Sequence, residues 1–305
     1  MNNYDRLMVC LDRSDADVAL LKAAKVFATQ NEGLTIYFFH VIKSLEVPRE
    51  IHEDYPDLLA PLDESIEANI QADIDSVFGD LNPTIHIDVR EGNPTDKILK
   101  WINDKDIDVL MMGKKPLHEG SGHHKDKIIN AAHCSVLIIP TTCDFQIPKS
   151  ILVSTDFSEA SFLAFERALF FAQKYDCTIT CFHSYEVPMG YHSTGKSFEE
   201  FAEIMLHNAE IHFAEFIAEV DLKGVVVNAL FELDKKDHPH KLILDAVNNG
   251  AFDLIVVGAK GRTNFSSVLL GSVTAKLIKD EIKIPVMIIK NEMKNMNLLQ
   301  AILQL

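Results

Sequence analysis

Short apolar runs alternate along the chain with longer stretches of mixed polarity. Residues 7–11, 107–112, 135–139, 151–154 and 254–257 are nearly unbroken apolar runs. Such runs suit strands buried on both faces of a parallel sheet. Residues 34–41 and 178–183 are rich in β-branched and aromatic side chains, 85–89 alternates, and 225–230 and 285–289 complete the predicted strands. Helical patterning fills the gaps, at 16–29, 63–78, 125–132, 159–174, 197–220 and 241–248. A further helix reaches Asn103 from a start at Gly92-Asn93-Pro94-Thr95, and another starts at Ser272-Val273-Thr274 with Ser272 as its N-cap. Strands alternating with helices imply right-handed βαβ units and a parallel sheet covered by helices.

The pattern is written twice. Asp12 and Asp156 stand 144 residues apart, Asp108 and Asp253 stand 145 apart, and VLII at 136–139 returns as VMII at 286–289, 150 further on. So long a period is a domain duplication, since solenoid repeats run to about 20–50 residues. Two tandem five-stranded α/β domains follow, at 1–142 and 148–305, joined by the turn-rich stretch 140–149. A length of 305 residues fits two domains of about 150 each.

Composition narrows the function classes. Apolar residues make up 47% and charged residues 24%, as in ordinary globular proteins. The formal net charge of −16, with no basic stripe, argues against nucleic-acid partners and against anionic membranes. No run approaches the ~18 apolar residues of a membrane-spanning helix, and MNNYDRLMVCLDRSD lacks the apolar core of a signal peptide. The five cysteines form no CxxC pair, and Cys10, Cys177 and Cys181 fall in predicted strands. Buried free thiols and a cytoplasmic location are expected.

The candidate chemistry centres on residues 251–274. After the strand at 254–257 come Gly258, Lys260, Gly261 and Arg262, then Gly271, Ser272, Val273 and Thr274. Glycines let backbone approach a ligand closely, and helix N-termini attract anions. The order strand, glycine loop, helix reads as a phosphate cradle. It is neither a Walker loop nor a GxGxxG fingerprint. The glycines alternatively serve only to shape a long connection.

The spacing Gly258-x2-Gly261-x9-Gly271-Ser272 resembles the nucleotide-binding signature of the ATP-binding branch of the universal stress protein family. VSTDFSEAS, FHSYEVP, VCLDRSDAD, FFHVIKSLEVP and VREGNPTDKI extend the likeness over nearly the whole chain. The resemblance implies an open parallel sheet of the adenine nucleotide alpha hydrolase-like, Rossmann-like type. It implies a stress-response role and dimerisation through the last strand, so the two domains could pair with each other or two chains with one another. It also implies ATP or another adenine nucleotide in the second domain, with Mg²⁺ bridging phosphates. Thr155, Asp156 and Phe157, with Ser184, Val257 and Gly258, would then surround the nucleoside. Lys260, Gly261, Arg262, Gly271, Ser272, Val273 and Thr274 would surround the phosphates.

Two places depart from that signature. In the first half, Gly113 is followed by Lys114-Lys115-Pro116, Gly122 comes nine residues after Gly113, and His123 replaces Ser272. That half is expected not to bind ATP in the family manner. In the second half, Glu232-Leu233-Asp234-Lys235 replaces Glu91-Gly92-Asn93-Pro94. His118, His123 and His124 read as loop residues, with a metal site as the alternative. His40 and His183, at equivalent strand ends, suggest a structural hydrogen bond. Phe162, Phe165, Phe170 and Phe171 read as core residues and Glu199-Glu200 as a solvated helix face. The tail 291–305 has Leu298, Leu299, Ile302, Leu303 and Leu305 at helical spacing. No catalytic set is specified. Two alternatives to nucleotide binding stay open: an interaction scaffold without nucleotide, and a slow ATPase or nucleotidyl transferase.

Overall fold

The computed structural model describes residues 4–42, 62–115, 122–261 and 270–290. The tail 291–305, Arg262 and His118 lie outside the described residues. The chain divides into two units, one of residues 1–132, 136–147 and 280–286, the other of residues 133–135, 148–279 and 287–305.

In the first unit, β1 (Arg6–Leu11), α1 (Ala16–Gln30), β2 (Thr35–Ile42), α2 (Leu62–Phe78), β3 (Thr84–Glu91), α3 (Pro94–Asp104), β4 (Val109–Lys114), α4 (Gly122–Ala131) and β5 (Ser135–Pro140) follow in order. Their strands lie in the order β3-β2-β1-β4-β5. The pairings β1–β2, β1–β4 and β2–β3 are parallel. β1, β4 and β5 are buried almost throughout, as expected for strands covered on both faces. Met8, Ile36, Phe38, Leu20 and Leu110 make the floor of this core. α3 is started by Asn93, whose side chain accepts from the amides of Thr95 and Asp96 ahead of Pro94 at the first turn.

The second unit repeats the plan with β6 (Ser150–Ser154), α5 (Glu159–Tyr175), β7 (Thr178–Tyr185), α6 (Phe198–Ala218), β8 (Val227–Leu233), α7 (Pro239–Asn249), β9 (Leu254–Gly258), α8 (Ser272–Leu277) and β10 (Val286–Ile289). Its order is β10-β9-β6-β7-β8. β6 pairs in parallel with β7 and β9, and β7 with β8. Chain order runs outward from β6 in both directions, so the gap beyond the carboxyl ends of β6 and β9 is the topological switch point.

The duplicated residues play duplicated parts. Asp108 Oδ2 accepts from the amides of Asp5 and Arg6 at 2.9 and 2.8 Å, and Asp253 Oδ2 from those of Lys149 and Ser150 at 2.8 and 3.0 Å. His40 Nδ1 donates to Leu11 O, and His183 Nδ1 to Thr155 O, each at 2.9 Å. A carbonyl can only accept, so each Nδ1 carries the proton. The expected structural hydrogen bond of these histidines is therefore present in both units.

Several local expectations change. Gly271, not Ser272, is the N-cap of α8, and no side chain caps it; Ser272 is already helical. Glu199 and Glu200 are exposed, as expected of a solvated face, but Glu200 has a further role. It closes a capping box with Ser197, accepting from Ser197 N at 2.8 Å while Ser197 Oγ accepts from Glu200 N at 3.1 Å. A short 3₁₀ helix, Met189–Thr194, precedes α6 and was not foreseen. His123 and His124 lie in the first turn of α4 rather than in a loop. Phe165 is fully buried, but Phe170 is 37% exposed, so the four phenylalanines of α5 are not all core.

Candidate functional site

The site begins where β6 ends. Thr155 is buried and donates from Oγ1 to Ser161 Oγ at 3.0 Å, while its Oγ1 accepts from the amide of Phe157 at 3.0 Å. Those two bonds fold the chain into a tight turn. Phe157 takes a left-handed backbone, φ 60°. That conformation costs a non-glycine residue roughly 1–2 kcal/mol. Arg13, its counterpart in the first unit, has φ 59°. The turn geometry therefore belongs to the fold rather than to the side chain. Asp156 Oδ1 accepts from Ser158 N at 3.1 Å and from Ser158 Oγ at 2.5 Å, and Ser158 in turn caps α5.

The left-handed turn sends Phe157 away from the crevice. Its ring lies 4.4 Å from that of His183 and 5.6 Å from Phe216, inside an aromatic cluster that includes Phe162 and Phe165. Phe157 was expected at the site and instead supports it from behind.

β9 brings the glycines. A Cβ at Gly258 would stand 2.8 Å from the carbonyl oxygen of Ala160, so only glycine lets the first turn of α5 pack there. A Cβ at Gly261 would stand 2.7 Å from Asp156 Oδ2. The loop closes on itself: Gly271 N donates to Ala259 O at 2.7 Å, and a Cβ at Gly271 would lie 3.4 Å from Gly261 N. Thr274, buried, donates from Oγ1 to Gly258 O at 2.9 Å and pins α8 to the end of β9.

A cavity of about 220 Å³ lies between these elements. It gathers Thr155, Asp156, Ser184, Val257, Gly258, Lys260, Gly261, Gly271, Ser272, Val273 and Thr274 from the predicted set. Ser154, Ser161, Phe182, His183, Pro239 and Ile243 line it as well, and sequence reasoning missed them. Pro239 and Ile243 were the most findable, because they sit four residues apart on one face of α7 directly after a proline helix start. The Glu232–Asp234 segment does not line the cavity. Asp234 is buried and accepts from the amides of Lys236 and His238, each at 2.9 Å. It holds the loop into α7 much as Asn93 holds the start of α3.

The matching place in the first unit is built differently. Lys115 Nζ lies 3.1 Å from Asp12 Oδ2, and Ser14 Oγ also donates to Asp12. Burial raises the Asp12 carboxyl, but the Ser14 hydroxyl and the Lys115 ammonium outweigh it and hold it below the usual carboxylate range. Lys125 Nζ donates to Gly113 O at 2.7 Å. Burial pushes the Lys125 ammonium below the ordinary lysine value, against the pull of Asp12.

Comparison with known proteins follows the same division. The sequence profile of the universal stress protein family matches residues 3–140 and again 148–290. The chain belongs to the universal stress protein family. Universal stress protein MJ0577 of Methanocaldococcus jannaschii is 26% identical over 159 residues, covering 47% of this chain and 96% of that protein. A universal stress protein structure from Archaeoglobus fulgidus aligns over 95% of this chain and 99% of its own, with a TM-score of 0.66 and 18% identity. The Pseudomonas aeruginosa protein PA1789, described as functionally unknown, aligns over 95% of this chain and 93% of its own, with a TM-score of 0.60 and 11% identity. These two structures share the tandem fold of the chain. Among the described residues no helix is long and apolar enough to cross a membrane, and no group of three or more His, Cys, Asp or Glu side chains is arranged for a metal ion.

Proposed function

We propose that the crevice of the second unit binds ATP or another adenine nucleotide, that the first unit is mainly structural, and that the chain acts as a nucleotide-responsive stress or regulatory protein. The observation that carries this reading is the cavity at the switch point, which brings Asp156, Gly258, Gly261 and residues 271–274 together from separate parts of the sequence. In this reading Asp156, Val257 and Gly258 face the nucleoside, with Ser184, Pro239 and Ile243 on the base side. Gly261, Lys260 and the uncapped start of α8 face the phosphates. Gly261 and Gly271, which both line the cavity, let the loop close against Asp156 and against itself. With no carboxylate cage among the described residues, a Mg²⁺ ion would rely on the nucleotide's own phosphate oxygens.

The first unit supports the division of labour. Its Asp12 is paired with Lys115, and the ammonium of Lys125 stands at the strand end where the second unit has the neutral hydroxyl of Thr274, so the chain's own cations stand at the equivalent place. Titration calorimetry of the full chain with ATP should give one site per chain, and Gly261→Val should abolish it. Two equal sites, or none, would overturn the proposal, and the second outcome would leave an interaction scaffold as the better reading.

A further inference from the structure

β3 ends the strand order of the first unit, and its outer edge has no neighbouring strand among the described residues. Its eight residues pair with β2 without a bulge, from Thr35↔Thr84 to Ile42↔Glu91, and they include neither proline nor lysine. An edge without those devices presents a row of unpaired amides and carbonyls to any strand that approaches.

Alternation gives the two faces of β3 different surroundings. On one face His86 stacks on Tyr37 at 5.0 Å, and Arg90 pairs with Asp88 at 2.8 Å while its guanidinium lies over Trp101. The unit fills that face with its own side chains. On the other face Ile85 and Ile87, part-exposed, form the floor of an open groove of about 800 Å³ with the buried Ile74 and Phe78 of α2. Glu64, Glu67, Asp75 and Asp80 line the same groove. No lysine, arginine or histidine is among the described residues that line it. Nearby cations are engaged elsewhere: Arg13 pairs with Asp73 at 2.7 Å, and Lys25 Nζ donates to Val77 O at 2.8 Å.

An open edge, an apolar floor and carboxylates without counter-charges together define the occupant. A second copy fits poorly. Two β3 edges pair antiparallel about a two-fold axis perpendicular to the sheet, which keeps both α2 helices on one side and brings the acidic groups together. A basic strand fits well. In an extended chain every second side chain shares a face, so lysines or arginines at alternate positions lay their methylene stems on Ile85 and Ile87 and carry their charge to the carboxylates. We propose that β3 is the docking edge for an extended basic segment of another protein, which adds to the sheet as a strand with its cationic side chains over the α2 groove. Backbone bonds along β3 supply affinity, and the four carboxylates select the charge of the partner.

The probe is a fluorescein-labelled peptide of β3's own length, alternating lysine with strand-favouring threonine, added to the full chain. Fluorescence anisotropy should show saturable binding that weakens with added salt. Outward-facing amides of β3 should exchange with solvent at least about tenfold more slowly once the peptide saturates the chain. Glu67→Lys combined with Asp75→Lys should weaken binding at least about tenfold, the scale of two exposed pairs turned repulsive. Both side chains line an open groove rather than the core, so this variant should fold, and its melting temperature checks that it does. Glu203→Lys combined with Glu215→Lys, exposed on α6, makes the same change in net charge and should alter binding by less than about twofold. The proposal is overturned if the peptide does not bind, if the two pairs of reversals weaken it equally, or if the β3 amides are not slowed. It is overturned equally if binding is undiminished when the central threonines become prolines, which keep the charge and remove backbone donors. Slowing of the β3 amides with rising chain concentration, without peptide, would place a second copy on this edge and overturn it as well.

Discussion

Lys125 donates to the carbonyl oxygen of Gly113 at 2.7 Å, and Thr274 donates to that of Gly258 at 2.9 Å. The two bonds are equivalent. Each runs from the third residue after the glycine that ends the loop, Gly122 or Gly271, to the glycine at the end of the fourth strand of its unit. A hydroxyl does the work in one unit and an ammonium in the other. The substitution keeps α4 and α8 fastened to their strands, and it also places a cation in the first crevice beside Asp12 and Lys115.

Removing either donor leaves a strand-end carbonyl without its partner. Such a loss costs about 1–3 kcal/mol. Thr274→Val should therefore lower the melting temperature of the second unit by about 3–6 °C and weaken nucleotide binding. Lys125→Met should destabilise the first unit and leave the calorimetric stoichiometry for ATP at its original value. A change in stoichiometry would show that the first crevice takes part in binding.

Gly261→Ala should weaken ATP by at least about tenfold, or about 1.4 kcal/mol, because the new methyl group would stand 2.7 Å from Asp156 Oδ2. The fold should survive, since only a short side chain has to move. Thermal unfolding without nucleotide and calorimetry with it separate the two effects.

The same glycine has different consequences in the two repeats. At Gly258 a Cβ would meet the backbone of Ala160 at 2.8 Å, whereas at Gly113 it would meet the side chains of Ala16 and Leu20 at 3.5 and 3.6 Å. Gly258→Ala should cost about 1–3 kcal/mol through overpacking. Gly113→Ala should be neutral or stabilising by up to about 1 kcal/mol, because alanine loses less backbone freedom on folding. Denaturant midpoints of the two variants check the contrast.

Alkaline pH should expose the buried thiols of the second unit. Burial pushes Cys181 up to about 12 and Cys177 up to about 11, Asp176 and Asp253 adding to the latter, from a usual value of 9.0. A raised folded value means that the protonated thiols contribute fully below pH 9, and that the contribution is lost as pH rises from there towards 11–12. For Cys181 the loss between pH 8 and pH 10 should be about 1 kcal/mol. Urea unfolding at the two pH values should show this slope in the native chain and a flatter one in Cys181→Ala.

Fold and sequence agree wherever one periodic signal sets an element. The apolar runs of β1, β4, β5, β6 and β9 have nowhere to go but the middle of a sheet, and the duplicated Asp108 and Asp253 hold the same paired amides. Much of the candidate site was legible for the same reason, since Gly258, Gly261 and Gly271 belong to a single strand-loop-helix stretch. Phe157 misled because adjacency to Asp156 in sequence is not adjacency in space when the backbone between them is left-handed. Pro239, Ile243 and Ser161 reach the cavity through the packing of α7 and α5 against the sheet; the spacing of the first two marks a shared helix face but not what that face meets. Ser272 looked like a cap by residue type, yet the extended backbone that a cap requires falls one residue earlier, at Gly271 with ψ 149°.

The Asp12–Lys115 pair gives the two units different environmental sensitivities. Part-exposed ion pairs are weakened by dissolved salt within a Debye length of about 8 Å at physiological ionic strength, so the end of β1 is held by a contact that responds to salt. At the end of β6 the comparable carboxylate, Asp156, is set by the Ser158 hydroxyl and amide, which respond little to salt. One chain thus joins a half tuned to ionic strength to a half whose stability, if it binds nucleotide, rises with the logarithm of nucleotide concentration.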